Sequence, residues 1–224
     1  VSGIVAIAVA FGGVRPASAS TITFEYIPGF GTPVDGMSIG TQFMAIFGVS
    51  FKLSNGDLPV LAKRGGPRTA FAGPPTDTTD DEPSPGQAVG DFFLTDDGAV
   101  GLPPIPLIIN YAALDQQASG MLLDIDVLEA WTVDAYSGLN ATGTLLESQV
   151  LTTASTNAAD GNVTPFGFDR AIADIASLLI TFSGSMGPGG VGFAFDNFSP
   201  PTLESFFTCG GDNTSTTFSG AIGN

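Results

Sequence analysis

Between Thr21 and Phe198 the chain repeats one pattern a dozen times: a short run with Phe or β-branched residues at every second position, closed by Gly, Pro, Asn or Asp. A two-residue period places successive side chains on opposite faces of a strand, whereas a helix needs apolar residues three and four apart. Short runs at this spacing predict an all-β, antiparallel two-sheet β-sandwich of the jelly-roll kind. Candidate strands cover residues 21–26, 41–53, 59–63, 69–72, 91–95, 107–111, 119–125, 129–136, 143–151, 163–168, 177–183 and 192–198. The turns Ser54-Asn55-Gly56-Asp57, Asp96-Asp97-Gly98, Ser137-Gly138-Leu139-Asn140 and Asp160-Gly161-Asn162 hold residues that tolerate or need positive φ. Residues 169–177 fit a short helix or a strand approach equally. With 18 Phe in 224 residues, the core should be rich in Phe.

Three segments fall outside the pattern. Residues 3–13 form an apolar run followed by Arg15-Pro16 and Ala17-Ser18-Ala19. The small-x-small ending is what a signal peptidase reads, and a run this short falls below the ~20 residues of a membrane span. Residues 1–19 are therefore read as a signal peptide, although no basic region precedes the run. The expectation is a secreted or cell-surface bacterial protein with no membrane insertion after signal removal. Residues 73–86 lack any large apolar side chain and gather Asp77, Asp80, Asp81 and Glu82, the composition of an exposed loop. Residues 20–200 then form one sandwich domain, and 201–224 a linker or truncated tail.

Charge removes several functions. Six basic residues face 22 acidic ones, and loss of residues 1–19 takes Arg15 away, for a net charge of −17. Such a surface repels nucleic acid and anionic membranes. The chain has no His and one cysteine, Cys209, so Ser-His and Cys-His catalysis, a His or multi-Cys zinc site and an internal disulfide are all excluded. A carboxylate pair of the glycosidase kind is the catalytic option left, with Asp124, Asp126 and Glu129 as the nearest set in sequence. Acidic residues are common at strand ends, so this enzyme is the third reading.

Calcium makes better use of these oxygens, because it takes six to eight hard ligands and needs neither His nor Cys. Glu25 ends the first candidate strand and Asp196 lies in the last; in a sandwich whose terminal strands are neighbours, the two would meet and hold one ion. Asp35 and Gln42 are flanking candidates for the remaining ligands. The bland alternatives are a solvated strand-end carboxylate for Glu25 and a turn hydrogen bond for Asp196. Trp131, Tyr136 and Tyr111 are candidates for an aromatic platform for a sugar ring; Trp131 alternates with Thr132 onto the apolar face, which favours its burial, and Tyr136 is the more exposed candidate. Arg64 and Arg68 belong to the one basic cluster, Lys63 to Arg68, which would receive an acidic polysaccharide or else pair with the acidic loop nearby.

The segments ITFEYIPGFGTPVDG, IGTQF, GVSFKL, LAKRGGPRTAF, FFLTDDG, ASGMLLDID, EAWTVDA and GVGFAFDNFSP, taken together, resemble secreted bacterial proteins of the PEP-CTERM type. That resemblance implies a galactose-binding or carbohydrate-binding-module sandwich with a structural calcium between first and last strands, and it carries the metal positions onto Glu25 and Asp196. The chain departs from the group after Pro201, where no Val-Pro-Glu-Pro sorting motif, apolar helix or basic terminus follows. The leading expectation is a non-catalytic extracellular module that binds polysaccharide or a cell-surface glycan. The runner-up is a structural or adhesive surface protein that associates with copies of itself.

Overall fold

The computed structural model describes residues 21–65, 89–97, 102–126, 128–153, 161–186 and 191–199. The expected signal peptide, the strand at 69–72, the acidic loop, Arg68 and the tail lie outside them. Along the chain come α1 (Met44–Phe47), β1 (Val49–Leu53), β2 (Val60–Lys63), β3 (Phe92–Thr95), β4 (Leu107–Asp115) and β5 (Gln117–Leu123). Then follow β6 (Trp131–Gly138), β7 (Thr142–Leu151), β8 (Val163–Asp169), β9 (Ile175–Phe182) and β10 (Phe195–Ser199). No helix among these residues is long and apolar enough to cross a membrane.

The strands form two five-stranded sheets, ordered β1-β4-β9-β6-β7 and β2-β3-β10-β5-β8, with every neighbouring pair antiparallel. From β3 to β10 the chain passes from one sheet to the other at each step except the β6–β7 hairpin. That path is a jelly roll, two interlocked Greek keys, with β1 added beside β4 and β2 beside β3. The core between the sheets is filled by alternate strand residues: Trp131, Val133 and Ala135 of β6 point inward while Thr132, Asp134 and Tyr136 point out. Phe24, Phe43, Phe51, Phe195 and Phe198 are fully buried and touch in a chain of ring contacts 5.7–6.3 Å apart. Trp131 packs against Phe182 and Phe193.

Two expected strands take another form. Residues 21–26 give only one bridge, Ile22 to Phe198, because Phe24 adopts a left-handed φ of 57° that folds its ring into the core and ends the ladder. Residues 41–53 divide at Gly48, whose φ of 67° lets its N–H close on the Met44 carbonyl and stops α1 before β1 begins. Residues 169–177 resolve as a bend leading into β9, with no helix.

The outer edges of both sheets are covered. Along β2, the Leu61 N–H and carbonyl bond to Met37 and Gly36, and on β1 the Phe51 N–H reaches Gly40. At the opposite side, the Gln149 side chain on β7 bonds both the N–H and the carbonyl of Gly167 on β8. Arg170 spans the same gap, donating to the Leu146 carbonyl and lying 3.7 Å from Glu147. Such covering blocks the pairing of exposed edges with other chains.

A carboxylate clasp at the junction of the chain ends

The clasp begins at two irregularities. In β10 an extra residue interrupts the pairing with β5 between Asp196 and Ser199, and Asn197 takes φ 51°. The bulge lets Phe195 and Phe198, three apart, both face the core, and it turns Asp196 toward the start of β3. Across from it, the left-handed Phe24 aims the next residue, Glu25, at the same place. Strained backbone beside both carboxylates is a feature that clusters at functional sites.

Both side chains close on one stretch of backbone. Glu25 Oε1 accepts the N–H groups of Asp91 and Phe92 at 2.6 and 2.8 Å. Asp196 Oδ2 accepts the Gly90 N–H at 3.2 Å, and its Oδ1 accepts that of Asn197 at 2.7 Å. Glycine at position 90 leaves room for this contact: a Cβ there would fall 2.0 Å from Glu25 Oε1, so Glu25 would have to swing away. Asp196 is fully buried, whereas Glu25 keeps access to solvent. Burial pushes the Asp196 carboxyl up to about 7; the amides of Asn197 and Gly90 oppose that, and the negative charge of Glu25 adds to it.

Arg64 completes the group. Its Nη2 donates to the Gly90 carbonyl at 2.9 Å, its Nε lies 3.5 Å from Asp91, and its guanidinium sits 5.5 Å from the centre of the Phe93 ring. Its charge partly offsets the burial of Asp196. The structure thus brings Glu25, Asp196 and Arg64 together, with Gly90 and Asp91 as members that the sequence did not point to. The glycine before a strand was the available signal, but Gly90 lies 106 residues from Asp196 and nothing local links them.

The two carboxylates offer oxygen ligands of the kind a hard cation takes, Asp196 being raised chiefly by its burial, although Glu25 Oε1 and both Asp196 oxygens also accept backbone N–H groups. Glu25 and Asp196 would hold such an ion, and carbonyls or water would supply the rest of its shell. No group of three His, Cys, Asp or Glu side chains clusters among the described residues. The flanking candidates are engaged elsewhere: Asp35 Oδ1 accepts the Lys63 N–H, and Gln42 bonds Gly40 and Ser38 in its own turn.

Tyr136 stands on the other sheet, half-buried on its outer face between Leu145 and Ser177, and partial burial together with Asp134 raises its phenol. Glu129 closes its own turn, its Oε2 accepting the Asp126 N–H, and burial pushes its carboxyl up to about 7. Asp124 leaves β5 with φ 55° and accepts the Gly161 N–H. Two tyrosine and phenylalanine rings that the sequence reading passed over, Tyr26 and Phe30, are each 64% exposed just after the clasp.

Fold and site define an antiparallel jelly-roll sandwich whose residues 90–92 donate N–H groups to a carboxylate from each side, Glu25 of the N-terminal segment and Asp196 of β10. No family model matches the chain, and no curated protein sequence matches it significantly. Among solved structures it is similar to the K2 cleaved adhesin domain of Lys-gingipain, with 11% identity over 80% of this chain and 95% of that one and a TM-score of 0.45. It is also similar to the K3 cleaved adhesin domain of Lys-gingipain from Porphyromonas gingivalis W83, with 14% identity, 75% and 97% coverage and a TM-score of 0.37.

Proposed function

We propose that this chain is an extracellular, non-catalytic sandwich module of the PEP-CTERM type that binds polysaccharide, with one structural calcium ion held by Glu25 and Asp196. The observation that carries the proposal is the convergence of these two carboxylates on residues 90–92, with Asp196 buried and its ionisation suppressed. Calcium would favour the ionised carboxylate, replace the cost of its burial with coordination, and fix the N-terminal segment against β10. The aromatic surface at Tyr136, beside the hydrogen-bonding Asp134 and Thr132, supports a sugar ligand. An acidic polysaccharide would meet Arg64 and Arg68, and a neutral one the aromatic face.

Self-association, the second reading, draws on the exposed Leu145 and Val150 of the edge strand β7. The Gln149 and Arg170 contacts that close this edge weigh against it. The test is affinity electrophoresis of the full chain through gels holding a neutral glucan or an acidic polysaccharide, with calcium and with chelator. Retardation that needs calcium and is lost in Tyr136→Ala supports the module; unchanged mobility in both gels removes the polysaccharide reading.

A further inference from the structure

The turn that carries the chain from β1 in one sheet to β2 in the other holds the sequence's only Asn-Gly pair, Asn55-Gly56. Residues 54–58 are all exposed. Two backbone bonds close the turn: the Gly56 N–H donates to the Leu53 carbonyl at 3.0 Å, and the Leu53 N–H to the Asp57 carbonyl at 2.9 Å. Gly56 takes φ 95°, and a Cβ there would meet nothing within 4 Å, so the backbone conformation and not a lack of space calls for glycine.

Glycine after asparagine also makes the pair chemically fragile, because no side chain shields the Gly56 nitrogen from the Asn55 carboxamide. In deamidation that nitrogen gives up its proton and bonds to Asn55 Cγ, the Cγ–Nδ2 bond breaks, and ammonia leaves with the proton. Solvent water then opens the cyclic imide at either carbonyl, which leaves aspartate or isoaspartate. The native turn engages both partners of the first step. The Gly56 N–H is held by the Leu53 carbonyl; Asn55 Oδ1 accepts the Asp57 N–H at 3.0 Å, and Asn55 Nδ2 donates to Asp57 Oδ2 at 2.7 Å. An N–H can bond only the carboxamide oxygen, which leaves the nitrogen to the carboxylate. The carboxamide is thus fixed on Asp57 and must leave it before the Gly56 nitrogen can react.

We propose that Asn55 is a latent deamidation site, kept intact in the native fold by the hydrogen bonds of its own turn, with the Asp57 carboxylate as its guard. The reaction runs one way. A product carboxylate at position 55 offers Asp57 Oδ2 no donor and repels it where an N–H···O bond stood. Isoaspartate adds one carbon to the backbone between Leu53 and Asp57, the two residues whose bond closes the turn. Modified chains therefore keep the mark of having opened at this corner. The site stands apart from the carboxylate clasp and depends on neither calcium nor a glycan.

The test incubates the full chain at pH 8, native and unfolded in guanidinium chloride, and follows the peptide 53–63 that trypsin releases between Lys52 and Lys63. Mass spectrometry with chromatographic separation reads the amide, aspartate and isoaspartate forms. The native chain should react about tenfold more slowly than the unfolded one, since the turn must open first. Folded Asp57→Ala should react about threefold or more faster than folded wild type, with the two unfolded chains alike. Native wild type reacting as fast as its unfolded form, or folded Asp57→Ala reacting no faster than folded wild type, would overturn the proposal. The first comparison decides the matter even where the variant does not fold.

Discussion

Replacing Asp196 by Asn removes the charge of the buried carboxylate while keeping its shape. In the metal-free protein the Asp196 carboxyl goes from an ordinary 3.8 to about 7. A folded-state value above the unfolded one means that the native chain holds a proton which the unfolded chain has released. The associated stability is fully present below pH 4 and is lost as pH rises through 7. A shift of about three units corresponds to about 4 kcal/mol at 1.36 kcal/mol per unit. The Asn variant has no such group, but its single oxygen can accept from only one of Gly90 and Asn197, at a cost of about 1 kcal/mol or more. In chelator, the variant should therefore be less stable than wild type at pH 5 and more stable at pH 8, with the two curves crossing between. Glu129, also pushed up to about 7, adds a smaller decline that both proteins share. Urea denaturation between pH 4.5 and 8.5 measures this. Parallel curves, or a variant less stable at every pH, would refute the argument that burial suppresses the charge on Asp196.

Other substitutions read the remaining parts of the account. Gly90→Ala pushes the exposed Glu25 side chain off the Asp91 and Phe92 amides and should lower stability by only about 1 kcal/mol, with a weaker calcium response seen in thermal melts. Phe198→Ala empties the meeting point of the Phe51, Tyr111 and Phe195 rings and should cost about 3–5 kcal/mol by chemical denaturation. Tyr136→Ala, on the outer face, should change stability by less than about 1 kcal/mol while abolishing retardation in polysaccharide gels. Gln149→Ala uncovers Gly167 on β8 and should raise self-association in sedimentation velocity; a monomer unchanged at high concentration would show that this side chain does not guard the edge.

Much of the fold was legible because strand alternation and turn chemistry are local signals. Positive φ appears in each of the four turns read from sequence, at Gly56, Asp97, Asn140 and Gly161. The burial of Trp131 followed from its place in an alternating run. The misread segments are those where tertiary packing overrides the local pattern. Phe24 continues an alternating run by composition, yet the core draws its ring inward through a left-handed backbone that no local rule anticipates. In residues 41–53 the apolar run hides a helical turn, and Gly48 was the one visible mark of the break.

The meeting of Glu25 with Asp196 was inferred from the neighbourhood of terminal strands in a sandwich, and the two bond to successive amides of one stretch, Asp196 to Gly90 and Glu25 to Asp91 and Phe92. Gly90, Asp91 and the place of Arg64 among them depend on contacts 26 to 106 residues apart in sequence. No periodicity reports such pairs. Asp35 and Gln42 also bond elsewhere, Gln42 within its own turn, where sequence could show it, and Asp35 to the Lys63 amide 28 residues on, where it could not.

Calorimetric titration of the metal-free full chain with calcium at pH 8 tests the central claim most directly, because the Asp196 carboxyl is then mostly ionised. The account predicts one saturable site in the wild type, lost in both Glu25→Gln and Asp196→Asn. Absence of binding heat together with no calcium-dependent rise in Tm, or binding that survives in both variants, would contradict it.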